Sequence, residues 1–259
     1  MRNKWRWLSI VSLSASTLAL IVWASIITVS KSDNRAAAPC ENFRKVTIAC
    51  VNFNTIWGEK KSLNKIKRFI KEASNLGADI IVFPELTLTG YEVEEAVEMH
   101  SANAEIIPGP STNEIALLTS LYKVYVVLGM PEKDKECPYT FYNSAAIIGH
   151  DGVIGSYAKL MPYKTELKWC RKGEYPFCFV TPWGLVGVGI CYETYMFPEL
   201  ARYYSALGVR LYVNLTALSE IKGWKEYYLN QLQARAIENM IFVASSNLVG
   251  KNLSGYFPG

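Results

Sequence analysis

Short apolar runs alternate with amphipathic stretches from residue 45 to the end of the chain. Segment 59–76 places Leu63, Ile66 and Ile70 on one face of a helix and ends at Gly77. The other predicted helices are 112–122 with a cap at Ser111 or Thr112, 197–207 and 224–238, and the predicted strands are 45–51, 79–83, 124–129, 141–148, 153–157, 185–190, 209–215 and 240–245. Repeated strand and helix units with apolar strands are typical of an α/β fold with both sheet faces covered.

A stretch of 24 residues without a charge, from Trp7 to Ser30, precedes this pattern. As a helix it would be about 36 Å long, enough to cross a hydrocarbon core of roughly 30 Å. A cleaved signal peptide is the alternative, with small-residue sites at 22–24 or 36–38. However, the apolar run continues past the first site, and Pro39 directly follows the second. The sequence therefore predicts one transmembrane signal anchor over 1–30, a linker over 31–44 and a single domain over 45–259.

The excess basic charge of the chain lies in its N-terminal segment. The chain carries 27 Lys and Arg against 23 Asp and Glu, and residues 1–35 hold five of these basic residues and one of the acids. The remaining 22 basic and 22 acidic residues make segment 36–259 neutral, which argues against a nucleic-acid-binding protein. Three basic residues precede the apolar stretch and two follow it. This asymmetry predicts a single-pass membrane protein whose domain lies outside the cytoplasm.

The cysteines and histidines do not show the spacing of a metal site. None of the six cysteines forms a CxxC pair, and the two histidines are far from any such pair. Cys170 and Cys178 either form a disulfide in an exported domain or remain two thiols. His100 follows an acidic stretch and His150 occupies a predicted hairpin turn, so both are predicted to be surface residues.

Three residues with reactive side chains follow predicted strands. Glu85 follows 79–83, Lys159 follows 153–157, and Cys191 follows 185–190, where the chain turns towards a predicted helix. Each has an ordinary alternative, namely a solvated carboxylate, a surface lysine and a buried inert thiol. Cys191 is the strongest candidate, because α/β folds present nucleophiles and bind ligands at the carboxyl ends of strands.

The segments around these residues resemble the motifs of the nitrilase, or carbon–nitrogen hydrolase, superfamily. The resembling stretches, in the order of the family, are FPEL with TGY in 83–91, NSA through GSYAK in 143–159, GICYE with FPE in 189–199, and RAIEN in 235–239 followed by Asn247. They span nearly all of 45–259. The resemblance implies a four-layer α-β-β-α sandwich and a homo-oligomer.

The sequence also departs from the family pattern. Ala158 and Met161 stand where the family often has arginine and histidine, and Glu193 stands where aspartate is common. The chain stops after Asn252–Gly259, where family members lead into a final pair of strands, so the C-terminal edge is expected to be incomplete. These changes leave the three reactive residues in place and affect the expected pocket.

By this resemblance, the protein cleaves a non-peptide carbon–nitrogen bond through a thioester on Cys191. Glu85 takes the thiol proton and passes it to the leaving ammonia or amine. The Lys159 ammonium and the backbone N–H of Tyr192 stabilise the oxyanion. Glu166 is the candidate auxiliary carboxylate. The alternative is that Glu166 forms an exposed ion pair with Lys164.

The expected substrate is a small linear amide rather than a nitrile, and this chemistry needs no metal and no organic cofactor. Two other functions stay open on the sequence. An N-acyltransferase would pass the acyl group from the same cysteine to an amine. An inactive, membrane-tethered binding module would keep the fold without an unusually reactive thiol.

Overall fold

The computed structural model describes residues 24–30, 45–55, 60–91, 97–220, 223–252 and 255–259. The strands of this part of the chain are β1 (Ala24–Ser30), β2 (Lys45–Val51), β3 (Ile80–Val82), β4 (Tyr125–Lys133), β5 (Phe141–Gly149), β6 (Gly152–Ala158), β7 (Cys178–Thr181), β8 (Gly184–Ile190), β9 (Leu211–Thr216), β10 (Phe242–Asn247), β11 (Val249–Asn252) and β12 (Gly255–Pro258). The helices are α1 (Lys60–Asn75), α2 (Val97–Ala102), α3 (Pro110–Tyr122), α4 (Tyr192–Met196), α5 (Glu199–Ala206) and α6 (Trp224–Asn239), with a 3-10 helix at Glu166–Lys168.

The first sheet has the strand order β1-β2-β3-β4-β5-β6. Strands β2, β3 and β4 are parallel, and the remaining neighbours are antiparallel. Successive side chains of a strand point to opposite faces. In β2, Val46 and Ile48 therefore join the core shared with the second sheet, whereas Ala49 and Val51 pack with helices α1 and α3 on the other face.

The second sheet has the order β10-β9-β8-β7, with β8, β9 and β10 parallel. Its apolar residues share one core with the inner face of the first sheet. Helix α5 adds Leu200 and Tyr204 to this core, and α6 packs Tyr228 and Leu232 against it. Two packed sheets with helices on both outer sides confirm the predicted α/β architecture and bring the ends of β3, β6 and β8 together.

Two helix starts differ from the prediction. The predicted helix 197–207 begins two residues later, as α5 at Glu199, because Phe197 before Pro198 is extended, with φ −122° and ψ 112°. The short helix α4, which precedes Phe197, was not predicted. Helix α3 begins at Pro110, so the predicted caps lie inside its first turn. Thr112 Oγ1 accepts the backbone N–H of Gly109, the residue that holds the cap position (2.8 Å).

Most of the predicted membrane helix and all of the predicted linker lie outside the described residues. Ala24–Ser30, the last part of the predicted helix, forms β1 antiparallel to β2. The β-branched run in 26–29 favours this extended conformation. Within the described segments, no helix is both long and apolar enough to cross a membrane.

The C-terminal residues form a feature that the sequence did not predict. Strands β11 and β12 pair as an antiparallel hairpin, and Val249 N–H donates to the carbonyl of Phe53 at 3.0 Å. Phe257 of this hairpin is buried with Leu86 and Tyr91, which belong to the loop after β3. The hairpin therefore packs directly against the loop that carries Glu85.

The structure also settles the cysteine and histidine predictions that fall on described residues. Cys170 and Cys178 are both free thiols. The prediction that His100 is a surface residue is wrong, because its side chain is buried and stacks on Trp169 with a ring distance of 4.4 Å. His150 is half-buried and lies against Tyr125, with a ring distance of 4.6 Å.

Candidate active site

Glu85 lies in the loop after β3, and the backbone of that loop is held against β4. Leu88 N–H donates to the carbonyl of Gly129 at 3.2 Å. A Cβ on Gly129 would overlap the carbonyl of Pro84 and the backbone of Leu86, so only glycine permits this approach. Leu86 has a φ of 48°, in the left-handed region that costs a branched side chain energy. The position of Glu85 is therefore fixed by the backbone on both sides of it.

Lys159 follows β6, the edge strand of the same sheet. Its backbone N–H donates to the carbonyl of Asn143 at 2.9 Å. Its Nζ donates to Oε1 of Glu85 at 2.6 Å and to Oε1 of Glu166 at 2.8 Å, and all three side chains are buried. The sequence-predicted glutamate, lysine and auxiliary glutamate are thus brought together as one charged cluster.

Glu166 begins the 3-10 helix and is buried, so the alternative of an exposed ion pair is wrong. Besides Lys159, its carboxylate accepts the hydroxyl of Tyr91 at 2.8 Å and the backbone N–H of Tyr163 at 3.0 Å. Tyr91 belongs to the TGY stretch, to which the sequence analysis assigned no role. Burial and the nearby carboxylate of Glu166 raise the pKa of Tyr91 well above its usual value, so its hydroxyl remains a donor.

The two carboxylate oxygens of Glu85 differ in their hydrogen bonds. Asn143 Nδ2 donates to Oε1 at 2.8 Å, the same oxygen that accepts from Lys159. The other oxygen, Oε2, is buried and has no hydrogen-bond partner in the described structure. A buried acceptor without a partner is costly unless a reacting group uses it. This oxygen is therefore suited to receive a proton.

Cys191 lies between β8 and α4 in a strained turn, with φ 51° and ψ −111°. Such a conformation costs a non-glycine residue about 1–3 kcal/mol and is found at functional sites. The backbone N–H of Cys191 donates to the carbonyl of Leu215 at 2.8 Å and to Oδ1 of Asn214 at 3.0 Å. The hydroxyl of Thr216 donates to Sγ of Cys191 at 3.2 Å.

Asn214 and Thr216 were missed as site residues in the sequence. Both belong to β9, which is parallel to β8, and the pairing of Ile190 with Leu215 places Thr216 beside Cys191. Adjacent parallel strands end at the same edge of a sheet, so polar residues ending β9 could have been assigned to the site. The missing information was which strand lies next to β8.

Burial and neighbouring charges shift the pKa values of Cys191, Glu85 and Lys159 by different amounts. Burial, together with the carboxylate of Glu85, raises the pKa of Cys191 well above its usual value, so the resting thiol is neutral. Burial raises the pKa of Glu85 to about 7, against the lowering effect of the Lys159 ammonium. Burial opposes the charge on Lys159, but the carboxylates of Glu166 and Glu85 outweigh it and raise the pKa of Lys159 well above its usual value.

The rate of substrate cleavage is expected to fall as the pH is lowered through about 7, the pKa of Glu85. Below this pH Glu85 is protonated and cannot accept the proton of the thiol, whereas above it the carboxylate is free to do so. A profile of kcat/KM against pH tests this. The control is Glu132→Gln, which removes a second carboxylate whose pKa burial raises and should leave the midpoint unchanged. An acidic limb centred near the ordinary glutamate value of 4.5 would contradict the assignment.

Tyr192 is the first residue of α4. The first N–H groups of a helix have no partner within the helix, so the backbone N–H of Tyr192 is a suitable donor to an oxyanion formed at Cys191. The ring of Tyr192 contacts those of Tyr163 and Phe197 edge to face, at 5.2 and 5.6 Å. An aromatic wall therefore adjoins the thiol.

Across the described segments, no group of three or more His, Cys, Asp or Glu side chains is placed to hold a metal ion. The polar groups around Cys191 are instead a carboxylate, an ammonium, an amide and a hydroxyl. These groups supply a base, a cation and hydrogen-bond donors next to a thiol, which is the set that acyl transfer through a cysteine uses.

Comparison with known proteins identifies the family. The carbon–nitrogen hydrolase family model matches residues 47–259. A nitrilase of Pyrococcus abyssi is 32% identical over 216 residues, covering 83% of this chain and 79% of the relative. An omega-amidase of Xenopus tropicalis is 32% identical over 214 residues, covering 78% of this chain and 74% of the relative.

Solved structures of the same family are also similar to this chain. An amidase from Nesterenkonia sp. AN1 is 25% identical with a TM-score of 0.68, covering 81% of each chain, and one form of it shows the Michael addition of acrylamide at the active-site cysteine. The chain belongs to the carbon–nitrogen hydrolase family, and it is a hydrolase of carbon–nitrogen bonds.

Proposed function

We propose that this protein hydrolyses small linear amides through a thioester on Cys191. The observation that carries the proposal is the buried cluster in which Lys159 Nζ lies 2.6 Å from Glu85, beside the thiol presented by the strained turn after β8. The omega-amidase relative and the amidase of similar structure support an amide as the substrate.

Acylation begins with the neutral thiol and the ionised carboxylate. Sγ of Cys191 attacks the carbonyl carbon of the amide while its proton moves to Glu85, and the electron pair of the C=O bond moves to oxygen. The Lys159 ammonium and the Tyr192 N–H stabilise this oxyanion. When the oxyanion collapses, the C–N bond breaks, Glu85 gives its proton to nitrogen, and ammonia leaves a thioester behind.

Deacylation repeats the sequence with water. Glu85, again a carboxylate, takes a proton from water as the water oxygen attacks the thioester carbon. The second oxyanion collapses with cleavage of the C–S bond, and Glu85 returns the proton to Sγ. The carboxylic acid leaves, and the thiol and the carboxylate are restored. Glu166 and Asn143 hold Glu85 and Lys159 in place during both steps.

The experiment that tests the proposal is trapping of the acyl-enzyme. The protein is incubated with a panel of small amides and nitriles, quenched in acid and analysed by peptide mass mapping. We expect an acyl adduct on Cys191 and none on Cys137, which is exposed to solvent and lies outside the buried Glu85–Lys159–Glu166 cluster. Turnover of an amide without any adduct on Cys191, or an adduct confined to other thiols, would contradict the proposal.

We also propose that the N-terminal segment attaches the protein to a membrane, with the hydrolase domain outside the cytoplasm. The support is the uncharged stretch that begins at Trp7 and the basic residues before it. With Ala24–Ser30 paired as β1, the 17 residues that remain in 7–23 would make a helix of about 25 Å, at the short end of what crosses a bilayer.

The full chain is expected to stay with the membrane fraction after a wash in alkaline carbonate. A control chain that begins at Ala24 keeps β1 and should be released to the supernatant. Release of the full chain as well would overturn membrane attachment. Protection of the domain from a protease added on the cytoplasmic side tests its orientation.

We infer a homo-oligomer as well. Ile237, Met240 and Phe242, around the end of α6, expose large apolar side chains of the kind that subunits bury against each other.

A further inference from the structure

We propose that Glu193 is a positioning residue. It holds the segment of Lys159 against the turn of Cys191 and thereby fixes the position of the Lys159 ammonium relative to the thiol. The inference rests on the proposed function, since it concerns the same site. It assigns a role to a residue at which the sequence departs from its family, with glutamate in place of the common aspartate.

Glu193 accepts hydrogen bonds from four donors. Its Oε1 accepts the hydroxyl of Tyr157 and the backbone N–H of Ile190, both at 2.7 Å. Its Oε2 accepts the backbone N–H groups of Leu160 at 2.8 Å and Met161 at 3.2 Å. The side chain is buried, with 1% of its surface exposed, so these bonds are sheltered from water and hold the groups firmly.

The four donors come from both sheets. Tyr157 is in β6 of the first sheet, and Leu160 and Met161 follow that strand, whereas Ile190 ends β8 of the second sheet. Lys159 therefore lies between Glu193-bound residues on the first sheet, and the turn of Cys191 lies between Ile190 and Glu193 itself. The carboxylate of Glu193 bridges the two sheets at the place where the ammonium and the thiol must be aligned.

The four hydrogen bonds require that both carboxylate oxygens of Glu193 act as acceptors. All four partners are donors, and an ionised carboxylate is an acceptor only. Glutamine has the same shape, but its NH₂ group would face two of these N–H or O–H groups and leave them without an acceptor. Aspartate keeps the acceptor chemistry and is shorter by one carbon–carbon bond, roughly 1.5 Å.

A second buried carboxylate provides the matched control. Glu132, at the end of β4, is largely buried, and burial raises its pKa as it does that of Glu193. Its carboxylate accepts the hydroxyl of Ser156 at 2.9 Å, and both residues belong to the first sheet. Glu132→Gln therefore removes a buried carboxylate without affecting a link between the sheets.

The test compares Glu193→Gln, Glu193→Asp and Glu132→Gln in the full-length protein, with the amide identified by trapping of the acyl-enzyme. A misplacement of about 1 Å in a catalytic group costs on the order of 100-fold in rate. We expect Glu193→Gln to lower kcat by roughly 10- to 100-fold and to leave KM within about threefold, because the transition state is affected more than substrate binding. Glu193→Asp should be intermediate, and Glu132→Gln should match the unmodified protein.

A second measurement does not depend on the substrate. The rate of alkylation of Cys191 by iodoacetamide is recorded against pH. The Lys159 ammonium lowers the pKa of the thiol, so displacement of Lys159 in Glu193→Gln should move the alkylation profile to higher pH. The same profile in Glu132→Gln should not move. A role of Glu193 in folding stability alone would leave the profile of the folded variant unchanged.

The proposal is overturned if folded Glu193→Gln keeps kcat and the alkylation profile, or if Glu132→Gln shows the same losses. If Glu193→Gln does not fold, Tyr157→Phe decides, because it removes one of the four donors and keeps the carboxylate. We expect a fall in kcat of roughly 3- to 10-fold with KM unchanged, and an unchanged kcat overturns the proposal. If no amide acylates the unmodified protein, the proposed function fails, while the alkylation profiles still decide the role of Glu193.

Discussion

Replacement of Cys191 by alanine is expected to lower kcat for amide hydrolysis by about 10⁴-fold or more, the range seen when a covalent nucleophile is removed. In the proposed mechanism, the thiol of Cys191 is the group that forms the bond to the acyl carbon. The remaining site would still bind the amide next to Glu85 and Lys159, so KM should change much less than kcat. Ammonia release measured in a coupled assay gives both constants.

Cys170→Ala is the matched control for this variant. Cys170 is also buried, and burial together with the carboxylate of Glu166 raises the pKa of its thiol to about 12. It follows the 3-10 helix, whereas Cys191 lies in a strained turn at the end of a strand. Cys170→Ala should therefore keep most of the activity. Equal losses in the two variants, or residual activity in Cys191→Ala above one part in a thousand, would show that another group is the nucleophile.

Replacement of Lys159 by methionine is expected to lower both activity and stability. Lys159 is the cation between the buried carboxylates of Glu85 and Glu166, at 2.6 and 2.8 Å. Removal of one partner of a buried ion pair costs about 3–5 kcal/mol, because the remaining charge is left uncompensated. In the proposed mechanism Lys159 also stabilises the oxyanion, so its loss is expected to lower kcat by a further factor of about 10²–10³. Urea unfolding and steady-state kinetics measure the two effects separately.

Lys67→Met provides a control with the same geometry and a different environment. Lys67 Nζ lies 2.6 Å from Oε2 of Glu114, but the two side chains are 33% and 49% exposed. Solvent screens this pair, so its removal should cost about 1 kcal/mol or less and leave kcat unchanged. If Lys159→Met is no less stable than Lys67→Met, the buried cluster does not depend on the lysine charge in the way the structure indicates.

The accuracy of the sequence predictions differs between elements for physical reasons. Strands β2, β5 and β9 and helices α1 and α6 were predicted within a few residues, since their apolar periodicity is a local property of the sequence. Strand β7, helix α2 and the hairpin β11–β12 were not predicted. These elements are short, and they are held by neighbours distant in sequence, as Phe257 is by Leu86 and Tyr91.

The candidate site shows the same division. The sequence singled out Glu85, Lys159 and Cys191 because each follows a predicted strand and stands in a motif that resembles the family, and strand ends are where such folds present reactive groups. It could not assign the hydrogen bonds of Thr216 or the bridge formed by Glu193, since both depend on which strands become neighbours. It left open whether Glu166 is a buried site residue or part of an exposed ion pair, and only the packing around Glu166 decided that it is buried.

The sequence by itself determined the alternation of strands and helices, the family motifs and the identities of the reactive residues. The tertiary structure decided which of them meet. Glu85 and Lys159 are 74 residues apart in the chain and 2.6 Å apart in space. Cys191, which follows β8 of the other sheet, lies close enough for both charges to act on the pKa of its thiol. Local periodicity reports which face of an element is buried. The charge state of a buried group depends instead on neighbours that folding brings from distant parts of the chain.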